Sequence, residues 1–155
     1  MYRTVQDFLN DWSHSVQGTL RVLQSLTDEK LDQAIVEGHN TLGWLGWHLA
    51  TTPAFFMKMV GLTVVPAGDA IPKKASDIVN AYSKMAEDVK REVEQNLTDE
   101  KMVENVETFA GHSPRGALLR MLIDHQTHHR GQMTVLLRQA GLPVPGVLGP
   151  TKEGN

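Results

Sequence analysis

Between Thr4 and Leu26 apolar residues recur at steps of three and four, at Val5, Phe8, Leu9, Trp12, Val16, Leu20, Leu23 and Leu26, which is the spacing of one helical stripe. Asp7, Asp11, Ser13, Gln17 and Arg21 take the opposite side, so this first helix is expected to cover a core from outside. In the connector that follows, Thr27 is a candidate cap for a short helical turn. A second helix is predicted from Asn40 or Thr41 to about Gly61, through Leu42, Trp44, Leu45, Trp47, His48, Leu49, Phe55, Phe56 and Met59, with Asn40 as the candidate cap. Pro53 falls inside it. Having no N–H to donate, it bends the helix and leaves the Leu49 carbonyl, beside His48, without its helical partner. A third helix starts at a Ser76 cap, turns Ile78, Tyr82, Met85, Val89, Val93 and Leu97 inward, and turns Lys84, Glu87, Asp88, Arg91 and Glu94 outward. A fourth opens at Ser113 with Pro114 in its first position and closes at Gly141, with Pro143 beyond. At ~1.5 Å per residue it is roughly 40 Å long.

The stretch from Gly61 to Ala75, with Pro66, Gly68 and Pro72, is long for a turn between antiparallel neighbours and suits a crossover. A repeat supports a division into halves. Leu26-Thr27-Asp28-Glu29-Lys30-Leu31 followed by Gly38-His39-Asn40 recurs as Leu97-Thr98-Asp99-Glu100-Lys101-Met102 followed by Gly111-His112-Ser113. Each half reads helix, connector, helix, and the long crossover between them predicts an all-α, up-down-down-up four-helix bundle. One domain covering residues 1–155 is expected for a chain of this length.

Composition narrows the chemistry. With 41% hydrophobic and 21% charged residues, the chain has the balance of a globular protein and excludes intrinsic disorder. The sequence holds no cysteine, which excludes disulfides, iron–sulfur clusters, thiolate zinc sites and cysteine nucleophiles. Any metal must rest on His, Asp, Glu or Asn. A net charge of −3 provides no footprint for nucleic acid or an anionic membrane. No apolar run approaches the ~18 residues of a membrane span, so the expectation is a soluble cytoplasmic protein.

Seven histidines supply the candidate ligands. The inner stripe of the fourth helix reads Leu118, Leu122, His125, His129, Met133 and Leu136. Residues at i and i+4 share a face, so His125 and His129 can converge on one ion, or else form a hydrogen-bonded pair in a core or cleft. A third ligand must come from another helix, and His48 lies on the inward stripe Leu45, His48, Phe55 and Met59. Three imidazoles from two helices would leave coordination positions open, as reactive metals require. His128 points about 100° away from His129. His39 and His112 belong to connectors, and His14 has no assigned role. Gln132 is placed to hydrogen-bond a ligand histidine from behind; Gln126 and Arg130 could do so or face solvent. Gly131 inside a helix suggests a close helix or subunit contact. No carboxylate falls on the inner stripes, which leaves metal-activated water as the default base and disfavours a di-iron site built on Glu-x-x-His. Trp44, Trp47, Phe55 and Tyr82 are candidates to line an apolar pocket.

The string Asp124-His125-Gln126-Thr127-His128-His129-Arg130-Gly131-Gln132, with Gly46-Trp47-His48-Leu49-Ala50, resembles the DinB/YfiT-like superfamily, and the resemblance spans nearly the whole chain. It implies an up-down-down-up bundle, often a homodimer, with nickel, zinc or iron held by residues matching His48, His125 and His129. Members include metal-dependent hydrolases and S-transferases or isomerases that use bacillithiol, mycothiol or glutathione. The chemistry implied is therefore activation of a thiol or a water by the metal. Two other readings fit the residues: a non-catalytic stress protein that binds a metal or small ligand, and a structural dimer without metal. The tail from Leu142 to Asn155 could cover the pocket, reach a second subunit or remain mobile.

Overall fold

A computed structural model of the chain describes residues 1–153. The protein is mostly helical. Five α-helices appear in order, α1 (Val5–Gln24), α2 (Leu42–Met59), α3 (Ala75–Asn96), α4 (Asp99–Val103) and α5 (Arg115–Ala140), with a 3-10 turn at Asp28–Lys30 after α1. A two-stranded antiparallel hairpin, β1 (Asn105–Thr108) and β2 (Gly111–Pro114), precedes α5. α1 packs on α3 and α5, and α2 packs on the same two helices, so the four long helices enclose one core. Phe8, Val22, Leu42, Leu49, Ile78, Val89, Leu119, Leu122 and Met133 are fully buried there. No described helix is long and apolar enough to cross a membrane.

Local chemistry explains most boundaries and corrects several expected ones. Thr4 caps α1 by accepting from the Asp7 N–H. Thr41, not Asn40, caps α2, its hydroxyl accepting from Trp44 N–H at 3.1 Å. α5 ends on Gly141 in the left-handed region, φ 71°, where a glycine carries no Cβ penalty. Ser113 and Pro114 do not start α5 with a side-chain cap, because both belong to β2. Thr27 precedes the 3-10 turn without making a cap bond. Ser76 lies inside α3, which begins at Ala75 after Lys74.

The cap on α3 comes from far away. Asp28 Oδ1 accepts the Ala75 N–H at 2.7 Å, and in the other half Asp99 Oδ1 accepts the Val5 N–H at 2.8 Å. Each copy of the Thr-Asp-Glu-Lys string thus caps the first helix of the opposite half, placing a carboxylate where N–H groups and the helix dipole favour negative charge. The likeness extends further. Ala34 and Thr41 form an isolated antiparallel bridge where the second half pairs Asn105 with Pro114. Leu42 N–H donates to Gln33 C=O as Arg115 N–H donates to Glu104 C=O. Gly38 and Gly111 both take positive φ, 83° and 107°, at the turn.

Three further expectations change. Asp88 is buried, 8% exposed, because Lys84 and Arg91 fold over it, each at 2.6 Å. Gly131 has no described residue of its own chain within 4 Å of where a Cβ would stand, so no neighbouring helix of that chain packs closely on it. The tail, described as far as Glu153, packs against α1 and α5: Val144 is buried, Arg21 bonds the Gly146 carbonyl at 3.0 Å and Arg138 pairs with Glu153 at 2.7 Å. The last two residues, which the expectation for the tail also included, lie outside the described residues.

Candidate metal centre

α2 presents His48 and α5 presents His125 and His129 at the contact between these helices. Trp44 meets His129 while Phe56, three turns on, meets His125, so the two helices run antiparallel. The ring centroids lie 4.9 Å apart for His48 and His125, 4.6 Å for His48 and His129, and 4.4 Å for His125 and His129. One ligand atom from each falls within 4.8 Å of the other two, and all three side chains are partly buried.

Two nitrogens bound about 2.1 Å from one ion at roughly 90–110° stand about 3.0–3.4 Å apart. His48 Nε2 and His125 Nε2 are 3.0 Å apart, which fits a shared ion. An outer partner agrees for one of the rings. His129 Nδ1 lies 2.8 Å from Gln132 Oε1, so that nitrogen donates and leaves Nε2 as a lone pair. The Thr52 hydroxyl lies 3.2 Å from His48 Nδ1 and 3.4 Å from its Nε2, straddling the ring edge. His125 Nδ1 is buried without a protein partner.

Electrostatics favour the neutral, ligating form of all three. Burial pulls His48 below the ordinary imidazole value, with the charge of His129 adding to it. Burial, then His129, His48 and His128, take His125 down to about 4. His129 is lowered by burial and by His128, against the opposing bond to Gln132. Neutral imidazoles are what a divalent ion needs, and three of them on two rigid helices form a donor set suited to one. Among the described residues no Asp or Glu joins the group.

The remaining candidates are distributed unevenly. Trp44 stacks on His48 at 4.6 Å with 13° between the rings and walls one side of the centre. Trp47 is in the core, 8% exposed, and its indole N–H has no partner. Phe55 is 53% exposed and turned away, and Phe56 takes the position beside His125 at 5.6 Å. His128 is exposed beside His129, His14 bonds the Asn10 carbonyl on the surface, and His112 sits in β2 opposite Glu107. His39 borders a cavity of about 220 Å³ whose walls include Ile35, Leu45, Val135, Leu136 and Gln132. Gln132 is therefore shared between this cavity and His129.

Gln126, Tyr82 and Arg130 form a buried polar layer rather than a pocket lining or solvated surface. Gln126 is fully buried; its Nε2 donates to the Leu49 carbonyl at 3.3 Å and its Oε1 accepts from the Tyr82 hydroxyl at 3.0 Å. That carbonyl is the one Pro53 leaves free. Burial raises the Tyr82 phenol far above its ordinary value, so it stays a donor. Arg130 donates to the Ser15 carbonyl at 3.0 Å and to Thr19 Oγ1 at 3.1 Å. Sequence reasoning overlooked Thr52 and Phe56. The signal for Thr52 was present, since it follows His48 by four residues on a helix; Phe56 was legible only as one more apolar position.

These helices and this histidine cluster define a mostly helical protein with a three-histidine site between two antiparallel helices. Residues 1–154 match the family model of the DinB family, and the chain belongs to that family. It is 39% identical to the Bacillus subtilis (strain 168) protein YrdA over 155 residues, covering 99% of this chain and 93% of that one. A crystal structure of a DinB-like protein from Bacillus cereus ATCC 10987 superposes with a TM-score of 0.90 at 38% identity, over 95% of this chain and 99% of the other. The DinB-like protein YjoA of Bacillus subtilis shares the fold at a TM-score of 0.73 and 14% identity, over 92% of this chain and 99% of that one.

Proposed function

We propose that the protein is a metal-dependent enzyme whose up-down-down-up four-helix bundle holds one divalent ion, nickel, zinc or iron, on His48, His125 and His129. The observation that carries this reading is the convergence of three imidazoles within 4.8 Å, one of them, His129, held by an outer partner on its far nitrogen. Bound there, a divalent ion lowers the pKa of a coordinated thiol or water and so supplies a nucleophile at neutral pH. The reaction class is accordingly S-transfer from a low-molecular-weight thiol or hydrolysis, on a small-molecule substrate.

The chain's own residues set the conditions for that chemistry. Trp44 and Phe56 close two sides with apolar rings, limiting water around the reacting atoms. Gln132 holds the His129 ring in one tautomer and orientation. Among the described residues no Asp or Glu joins the three histidines, and solvent is the acceptor assigned to the proton that the nucleophile releases. The cavity bordered by Gln132, Leu45 and Leu136 suits the apolar part of the substrate. A homodimer in the cytoplasm is the expected working form.

The test is metal content of untagged protein purified without chelator, measured by elemental analysis beside His48→Ala and His129→Ala. Near one ion per chain in the wild type and loss in both variants supports the reading and justifies assays with thiol and hydrolysable substrates. Wild-type protein that stays metal-free after reconstitution refutes it.

A further inference from the structure

We propose that Gln126 is a positioning residue for the metal site, setting the register of the two ligand-bearing helices through its bond to the Leu49 carbonyl. The inference rests on the metal reading above. Leu49 directly follows His48 and Gln126 directly follows His125, so the 3.3 Å bond joins the helices one residue from each of the two ligands whose Nε2 atoms stand 3.0 Å apart. A carbonyl in the middle of a helix is ordinarily committed to the N–H four residues on, and here that residue is Pro53. The proline therefore frees an acceptor facing α5, and the fully buried amide of Gln126 takes it.

The other end of the amide is held as well. Tyr82 on α3 donates to Oε1 at 3.0 Å and satisfies the oxygen, while the Leu49 carbonyl, which can only accept, keeps Nε2 turned toward it. One turn on, Arg130 of α5 donates to the Ser15 carbonyl at 3.0 Å and to Thr19 Oγ1 at 3.1 Å, so the layer ties α1, α2, α3 and α5 together. Apolar contacts between α2 and α5 tolerate small axial slides, because dispersion is non-directional. A hydrogen bond between defined atoms does not. Sliding α2 by about 1.5 Å, the rise of one residue, would take His48 out of reach of an ion held by His125 and His129.

The experiment uses Co2+ as a spectroscopic probe of the full-length protein, comparing wild type, Tyr82→Phe, and the double variant Tyr82→Phe/Gln126→Met. Tyr82→Phe removes the far partner but keeps the Leu49 bond, and the double variant removes that bond without stranding a buried phenol. Tyr82→Phe is expected to bind Co2+ within threefold of wild type with the same ligand-field bands. The double variant is expected to bind at least tenfold more weakly, with shifted bands. Pro53→Ala approaches the same bond from α2, since the new N–H competes for the Leu49 carbonyl while the helix itself gains propensity; a severalfold weaker affinity is expected. If the double variant matches Tyr82→Phe in affinity and spectrum, or if Pro53→Ala binds as wild type should the double variant fail to fold, the inference is overturned. Failure of the metal reading has a different signature: the wild type itself takes up no Co2+, Ni2+ or Zn2+.

Discussion

Replacing Gln132 with Met separates a residue that serves the metal from one that serves the fold. Its Oε1 is the partner of His129 Nδ1 at 2.8 Å, a short bond that leaves Nε2 of that ring as a lone pair. Gln132 is exposed and its side chain makes no other bond among the described residues, so Met leaves no cavity and strands no buried group. Loss of such an outer partner costs about 10–100-fold in metal affinity, which converts to about 1.4–2.7 kcal/mol. Stability of the metal-free protein is expected to change by less than about 0.5 kcal/mol, as at other surface positions. Competition with a chromophoric chelator reads the affinity, and melting of the metal-free protein reads the stability. Gln132→Glu supplies a charged acceptor to the same nitrogen and is expected to restore wild-type affinity. Binding by Gln132→Met within threefold of wild type, or a melting temperature several degrees lower without metal, would refute the assignment.

Four other predictions follow from individual contacts. Asp28→Ala and Asp99→Ala each remove a long-range helix cap and should cost about 1 kcal/mol in urea unfolding; with no shared partner, the double variant should show the sum. Within α5, Gly116→Ala drives a Cβ into the Tyr2 carbonyl oxygen and should destabilise by at least about 2 kcal/mol, whereas Gly131→Ala, clear of the described residues, should stabilise by about 0.5–1 kcal/mol. Equal signs for the pair would show that the N-terminal segment does not pack on α5 as described. Thr52→Val should weaken metal binding less than Gln132→Met, since the hydroxyl sits astride the His48 ring edge rather than in line with one nitrogen. Lys84 and Arg91 hold the Asp88 carboxyl below its ordinary value, so its contribution is present at neutral pH and fades as pH falls through that lowered value. Asp88→Asn should therefore be less stable by about 0.5–1 kcal/mol at pH 7, and a variant that keeps the wild-type denaturation midpoint at pH 7 would contradict the pairing.

The four long helices were legible because their signal is local. Apolar residues three and four apart must share a face wherever a chain coils at 3.6 residues per turn, and this alone aligns Phe8 with Trp12 and His125 with His129. The Thr4 cap and the Gly141 stop are likewise decided within a few residues. The start of α5 was misread for a related reason. A Ser-Pro pair suits a cap, but Ser113 and Pro114 extend a strand paired with Asn105 and Val106, and that partner lies outside any local window. Ser76 failed as a cap because Asp28, 47 residues earlier, reaches the first N–H of α3.

The candidate site divides along the same line. Helical periodicity placed two imidazoles on one face and marked His48 as an inward residue of another helix, and the repeat showed that the chain is built from two related halves. The repeat does not carry the site with it, because the histidines occur in unlike positions of the two halves. Whether His48 meets the other pair depends on how far α2 is displaced along α5, a rigid-body quantity to which no short stretch of sequence is sensitive. Side-chain burial between helices and the bond from Gln126 to the Leu49 carbonyl decide it. Sequence determined which groups could ligate, because chemistry and helical phase belong to single segments; tertiary packing determined which of them meet, because a distance between segments belongs to neither alone.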